Sequence, residues 1–175
     1  KSKLPSSVKK RYANQEEKYG DAFREFWSPQ SRVADMNRYG WDIQVCLPTA
    51  GHVGAQMSLE DPELGAAVVR AYNNWAKQYC DHDPGRLKWV SVVPGGYPEG
   101  MVEEVRRTHA QGSMAAIIST PTPGHWWHTT EFDPMWEACQ ELEMPLLLHG
   151  NETRTGGPAT YDRYAGMHGP FDAIH

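Results

Sequence analysis

The sequence predicts an α/β fold, about half of a (β/α)8 TIM barrel, with four alternating βα units carried by residues 1–175. Four observations predict it. Helical and strand patterns alternate strictly, α-β-α-β-α-β-α-β, and alternation with buried strands makes a parallel sheet. After the first strand, successive strands start roughly 30 residues apart, the length of a βα unit. No G-x-G-x-x-G and no P-loop follows any strand, which removes the usual nucleotide-binding signs of an open, doubly wound sheet. The loops after the strands are long and carry polar and aromatic residues, as barrel loops do. A complete barrel takes about 250 residues, so four strands in 175 residues make about half of one.

The elements follow in order. Residues 1–10, KSKLPSSVKK, are a polar, basic lead-in expected to be flexible. Residues 11–27 are charge-rich and end in Phe23, Phe26 and Trp27, which predicts a helix with an aromatic edge. Ser28-Pro29 is a cap followed by a first-turn proline, Val33 and Met36 face inward, and Gly40 suits the helix C-terminus. In Trp41–Leu47, Ile43, Val45 and Leu47 alternate with polar or small residues, a strand. A turn at 48–51 and a loop over 52–60 come next. Asp61-Pro62 opens the clearest helix, with Leu64, Ala67, Val68, Ala71, Tyr72, Trp75, Ala76, Tyr79 and Cys80 at helical period. Asp83-Pro-Gly-Arg86 stops it. Leu87–Val93 is the second strand. Pro98 begins a helix with Val102, Val105 and His109 on one face and Gly112 at its end. Met114–Ile118 is the third strand, and 119–130 a loop rich in Thr, Pro and Trp.

The last unit is the most informative. Asp133 is an N-cap and Pro134 fits the first helical position, where its missing N–H has no partner to lose. Met135, Ala138, Cys139 and Leu142 share an apolar face. Glu143-Met144-Pro145 ends the helix, because the residue before proline is pushed out of the α region. Leu146-Leu147-Leu148 reads as a strand covered on both faces. His149-Gly150 then arrives at the carboxyl end of that strand, where α/β folds bind ligands. Residues 150–170 form a long Gly-, Thr- and Tyr-rich loop.

Composition narrows the function classes. Hydrophobic residues make up 39% and aromatics 11%, with seven Trp, which supports a packed core over disorder. Net charge is −5 without a basic stripe, so nucleic acid is not an expected partner. No apolar run approaches the roughly 20 residues that span a bilayer, so no membrane partner is expected. No signal peptide is visible. Cys80 and Cys139 fall on apolar helix faces and read, with Cys46, as thiols of a reducing, cytoplasmic compartment. The chain opens Lys-Ser-Lys and stops at Phe171–His175, which looks like the start of a helix, so it reads as an internal piece of a longer barrel.

Three segments carry a resemblance: SRVADMNRYGWDIQVCLPT (31–49), DPELGAAVVRAYNNWAKQYCDHDPGRLKWVSVVP (61–94) and FDPMWEACQELEMPLLLHG (132–150). The signs are R-x-A-D-M-x-R-Y-G before a D-x-Q-V strand, an A-Y-N-x-W helix closed by D-P-x-R-L, and a P-x-x-x-H-G strand. Together they resemble the amidohydrolase-related family that contains aminocarboxymuconate semialdehyde, γ-resorcylate and carboxyvanillate decarboxylases. Members of that family are metal-dependent (β/α)8 barrels. The resemblance implies that His149 is the metal-ligand histidine of the middle strand. It also implies a divalent metal ion, Zn2+ or alternatively Mn2+. The family's other ligands, a His-x-His or Glu-x-His on the first strand and an Asp on the last, have no counterpart in this sequence, nor does its second catalytic histidine. One imidazole does not hold a catalytic zinc, which takes three protein ligands and an open position.

Each candidate has a plainer reading beside it. His149 is otherwise a strand-end histidine in a hydrogen bond. Arg32, in the first turn of its helix, is placed to hold a substrate carboxylate in a bidentate fork; the plainer and favoured reading is a solvated arginine or an ion pair with Asp35. Asn151, with Glu152 and Arg154, follows His149 and is a substrate-binding candidate by position alone. His125 and His128, in H-W-W-H, are spaced like a metal pair, but loop packing is favoured; Trp126 and Trp127 are candidate walls of an aromatic pocket. His52, His168 and His175 carry no pattern, and His82 and His109 read as surface or packing residues. Glu103-Glu104 and Glu141-Glu143 read as solvated helix faces.

The expected function is that of a metal-dependent hydrolase or decarboxylase of the amidohydrolase superfamily. Its substrate would be small, carboxylate-bearing and cyclic or aromatic, and the protein a homo-oligomer. The alternative is a non-catalytic α/β barrel fragment that serves as an assembly or binding module.

Overall fold

The structure, a computed structural model, describes residues 15–48, 53–118 and 127–149. The expectations for residues 1–10, for His52, His125 and Trp126, and for the stretch holding Asn151, Glu152, Arg154, His168 and His175 lie outside the described residues. The chain divides into two compact units: residues 1–44 with 78–88, and residues 45–77 with 89–175.

In the first unit, the described part of the helix expected over 11–27 holds two short ones, α1 (Gln15–Tyr19) and α2 (Asp21–Arg24). Gly20 divides them at φ 54°, a left-handed conformation that glycine adopts without the Cβ penalty. Of the expected aromatic edge, Trp27 stands edge-on to Phe23 at 5.5 Å, and to Tyr19 at 6.0 Å, while Phe26 is exposed. Helix α3 (Pro29–Tyr39) begins as its sequence dictates. The Ser28 hydroxyl accepts the Ser31 N–H at 3.1 Å, which satisfies one of the orphan donors of the first turn. Gly40, at φ 69°, closes it. Met36 is fully buried. Arg86 fastens the chain that leaves α3. Its guanidinium donates to Asn37 Oδ1 at 2.6 Å, Trp41 O at 2.7 Å and Asp42 O at 3.1 Å, and its carbonyl accepts the Gln44 N–H at 2.9 Å.

Strand β1 (Gln44–Cys46) crosses from the first unit to the second, and β2 (Leu87–Val92) also crosses the division. In β1 the apolar set Ile43, Val45 and Leu47 is exposed, while Gln44 and Cys46 are half-buried. β1 is the first strand of the sheet order β1-β2-β3-β4, so among the described residues it has one paired flank.

In the second unit, residues 53–60 form helix α4 (Val53–Glu60), where a loop was expected. Its contact residues are small, so packing by close approach replaces the bulky apolar stripe that signals a helix. The Ser58 hydroxyl donates to Ala55 O at 2.6 Å and accepts the Gly96 N–H at 3.1 Å. A Cβ at Gly65 or at Gly96 would fall inside the Ser58 backbone. Helix α5 (Pro62–Cys80) is capped by Asp61, whose carboxylate accepts the Leu64 N–H at 3.0 Å. Its buried face is turned from the expected one. Ala76 and Cys80 are buried as expected, but their buried neighbours are Gly65, Val69 and Asn73, whereas Leu64, Ala67, Ala71 and Trp75 are exposed.

β2 pairs in parallel with β3 (Ala115–Ile118), and β3 in parallel with β4 (Leu146–Leu148). Helices α6 (Pro98–Ala110) and α7 (Asp133–Glu141) precede β3 and β4. One apolar cluster joins Met101 and Val105 of α6, Ala116 and Ile118 of β3, and Met135, Ala138 and Cys139 of α7. A second joins Val69 to Val90, Val92, Ala115 and Ile117. β4 departs from expectation. Leu147 and Leu148 are exposed, Leu148 at 74%, and β4, the last strand of the order, pairs only with β3 among the described residues.

Candidate functional site

The α7–β4 unit delivers His149. Glu143, at φ 51°, reverses the chain after α7, and the Met144 N–H returns to Cys139 O at 2.8 Å. Pro145 O then accepts the Ala116 N–H at 2.9 Å, which starts the parallel ladder. Ile118 sits opposite Leu148, and the His149 N–H donates to Ile118 O at 2.9 Å. The ladder therefore runs one residue past β4 and holds the His149 backbone at the carboxyl end, with its side chain exposed. Cys139 is buried, and burial pushes its thiol up to about 11, in line with a packed thiol.

The described residues supply one imidazole there and no complete metal site. No group of three or more His, Cys, Asp or Glu that could hold an ion occurs among them. Arg32, in the first turn of α3 in the first unit, is half-buried and forms no ion pair with Asp35 among the described residues. His128 is exposed. Trp127 packs within its own segment: its ring lies 4.6 Å from Phe132 and 6.3 Å from Trp136, whose indole N–H donates to Trp127 O at 3.0 Å. His82 is exposed and His109 half-buried on α6, in line with surface and packing roles.

The carboxylate pair Glu103-Glu104 requires a correction. Glu103 is exposed and paired with Arg70 at 2.5 Å. Glu104 is not solvated: it is 4% exposed. Its Oε1 accepts Asn73 Nδ2 at 2.7 Å and Arg107 Nη2 at 2.5 Å, and its Oε2 accepts Arg107 Nε at 2.8 Å. Arg70 Nε approaches Oε2 at 3.6 Å. A buried carboxylate is tolerable only when paired and hydrogen-bonded in this way. The hydrogen bond to Glu104 in turn holds the Arg107 guanidinium above its ordinary range, against its partial burial. Arg70, Tyr97, Glu103 and Glu104 also line an open-sided pocket of about 250 Å³ between α5 and α6.

A signal for this network existed in the helical phase. Met101, Glu104, Val105 and Thr108 are buried at i, i+3, i+4 and i+7. The face expected from the sequence, Val102, Val105 and His109, passes over Glu104 and Thr108. The A-Y-N and D-P-x-R-L signatures likewise resolve into backbone clamps, through Asn73 on Val92 and Arg86 on residues 41 and 42.

A family model described as Amidohydrolase matches residues 12–170. The chain belongs to the amidohydrolase family. Two curated relatives of this amidohydrolase chain are decarboxylases by name. It is 22% identical to the gamma-resorcylate decarboxylase of Polaromonas sp. strain JS666, over 79% of this chain and 44% of that protein. It is 24% identical to the 2-amino-3-carboxymuconate-6-semialdehyde decarboxylase of Dictyostelium discoideum, over 74% of this chain and 37% of that protein. The chain thus spans less than half the length of either. Among solved structures it is similar to a dihydroxybenzoic acid decarboxylase from Polaromonas sp. JS666 with bound manganese and the inhibitor 2-nitroresorcinol. The TM-score is 0.61 at 18% identity, covering 91% of this chain and 51% of that one. The fold is that of part of a (β/α)8 barrel. Among the described residues, no helix is long and apolar enough to cross a membrane.

Proposed function

We propose that these residues are part of a metal-dependent decarboxylase that acts on a small, carboxylate-bearing cyclic or aromatic substrate, with hydrolysis as the second reaction open to the amidohydrolase superfamily. The observation that carries this reading is the family match over residues 12–170 together with two relatives that are both decarboxylases. Decarboxylation breaks the bond from carbon to the leaving CO2 and returns a proton to that carbon. The substrate must therefore be held by its carboxylate while the ring faces an acid.

On this reading His149 is one metal ligand, with its second ring nitrogen oriented by a hydrogen bond, and the ligand set is completed by residues outside the described ones. The bound divalent cation supplies positive charge that orients and polarises a carboxylate-bearing substrate. Manganese in the Polaromonas structure supports Mn2+ beside Zn2+ as the ion. Arg32 and Asn151 are the proposed substrate-binding residues, the guanidinium as a bidentate fork for a carboxylate. We also propose a cytoplasmic homo-oligomer; the buried thiols of Cys80 and Cys139 fit a reducing compartment.

The test is metal content and CO2 release on the native protein that carries these residues, beside its His149→Ala variant. Near-stoichiometric metal in the wild type, lost at least tenfold in the variant together with CO2 release from aromatic carboxylates, supports the reading. Full metal content in the variant removes His149 from the ligand set. A native protein without metal and without either activity leaves the non-catalytic module.

A further inference from the structure

We draw no further inference here: the strongest candidate, the open-sided pocket between α5 and α6 lined by Arg70, Tyr97, Glu103 and Glu104, carries nothing because its carboxylates are already met by Arg70, Arg107 and Asn73 and no second observation points to a ligand.

Discussion

The Asn73 carboxamide spans the backbone of Val92, with Nδ2 donating to Val92 O at 2.9 Å and Oδ1 accepting the Val92 N–H at 2.9 Å. One residue on, the Val93 N–H turns the opposite way, to Ile117 O of β3 at 3.2 Å. The side chain of α5 thus does for one flank of β2 what a neighbouring strand would do, meeting the rule that buried backbone groups are paired. The same Nδ2 also reaches Glu104, so helix α5, strand β2 and helix α6 share one buried knot.

Replacing Asn73 tests that knot. Asn73→Ala leaves Val92 with an unpaired N–H and C=O and is expected to cost about 1–3 kcal/mol per orphaned group. Asn73→Asp is expected to cost more, since it sets a second carboxylate beside Glu104 and a lone pair against Val92 O. Urea melts of the two variants decide the point, and equal stabilities would remove the role assigned to the amide donors.

The adjacent glutamates should behave in opposite ways. Glu104→Ala uncovers Arg107 and Asn73 at a buried site, with an expected loss of about 3 kcal/mol. Glu103→Ala removes an exposed pair, which is worth at most about 1 kcal/mol. Thermal denaturation of both variants should therefore separate them clearly, and a comparable loss at Glu103 would contradict the burial difference.

Close approach at Ser58 predicts a third contrast. Gly65→Ala and Gly96→Ala each push a methyl group into the Ser58 backbone, so each should lose about 1–3 kcal/mol by overpacking. At Gly85 the nearest atom to an added Cβ is Asp83 Oδ1 at 3.5 Å, and Gly85→Ala should be near neutral. Chemical denaturation midpoints give the comparison.

Cys139 sets a pH dependence. Its thiol is raised from 9.0 to about 11 by burial, so between those values the unfolded chain loses the proton and the folded chain keeps it. The stabilising contribution is complete below about pH 9 and is lost as pH rises toward 11, with a slope of at most about 1.4 kcal/mol per pH unit. Cys139→Ala should flatten that part of the stability profile. Unchanged slopes in wild type and variant would show that another group titrates there.

Order and identity of the sheet units were legible because they rest on local signals. Ser28-Pro29, Asp61-Pro62 and Pro134 start helices where the chain has a cap or a proline ready for the first turn. Met135, Ala138 and Cys139 are buried as their spacing predicts, and His149 follows its strand in the expected ladder position. By contrast, α4 was hidden, since Gly54, Ala55 and Ser58 pack by closeness and offer no apolar period. The buried faces of α5 and α6 were displaced because Asn73, Glu104 and Thr108 occupy positions that a hydrophobic pattern assigns to solvent.

By itself, then, the sequence determined the βα order, the helix starts and the placement of one imidazole at the end of β4, because caps, prolines and short apolar runs act within a few residues along the chain. Only the tertiary structure decided which carboxylate is buried and which face of α5 packs. Those outcomes depend on partners 30 or so residues away, such as Asn73 with Glu104. A charge or an amide can enter a core only when such a partner supplies the hydrogen bonds that water gives up.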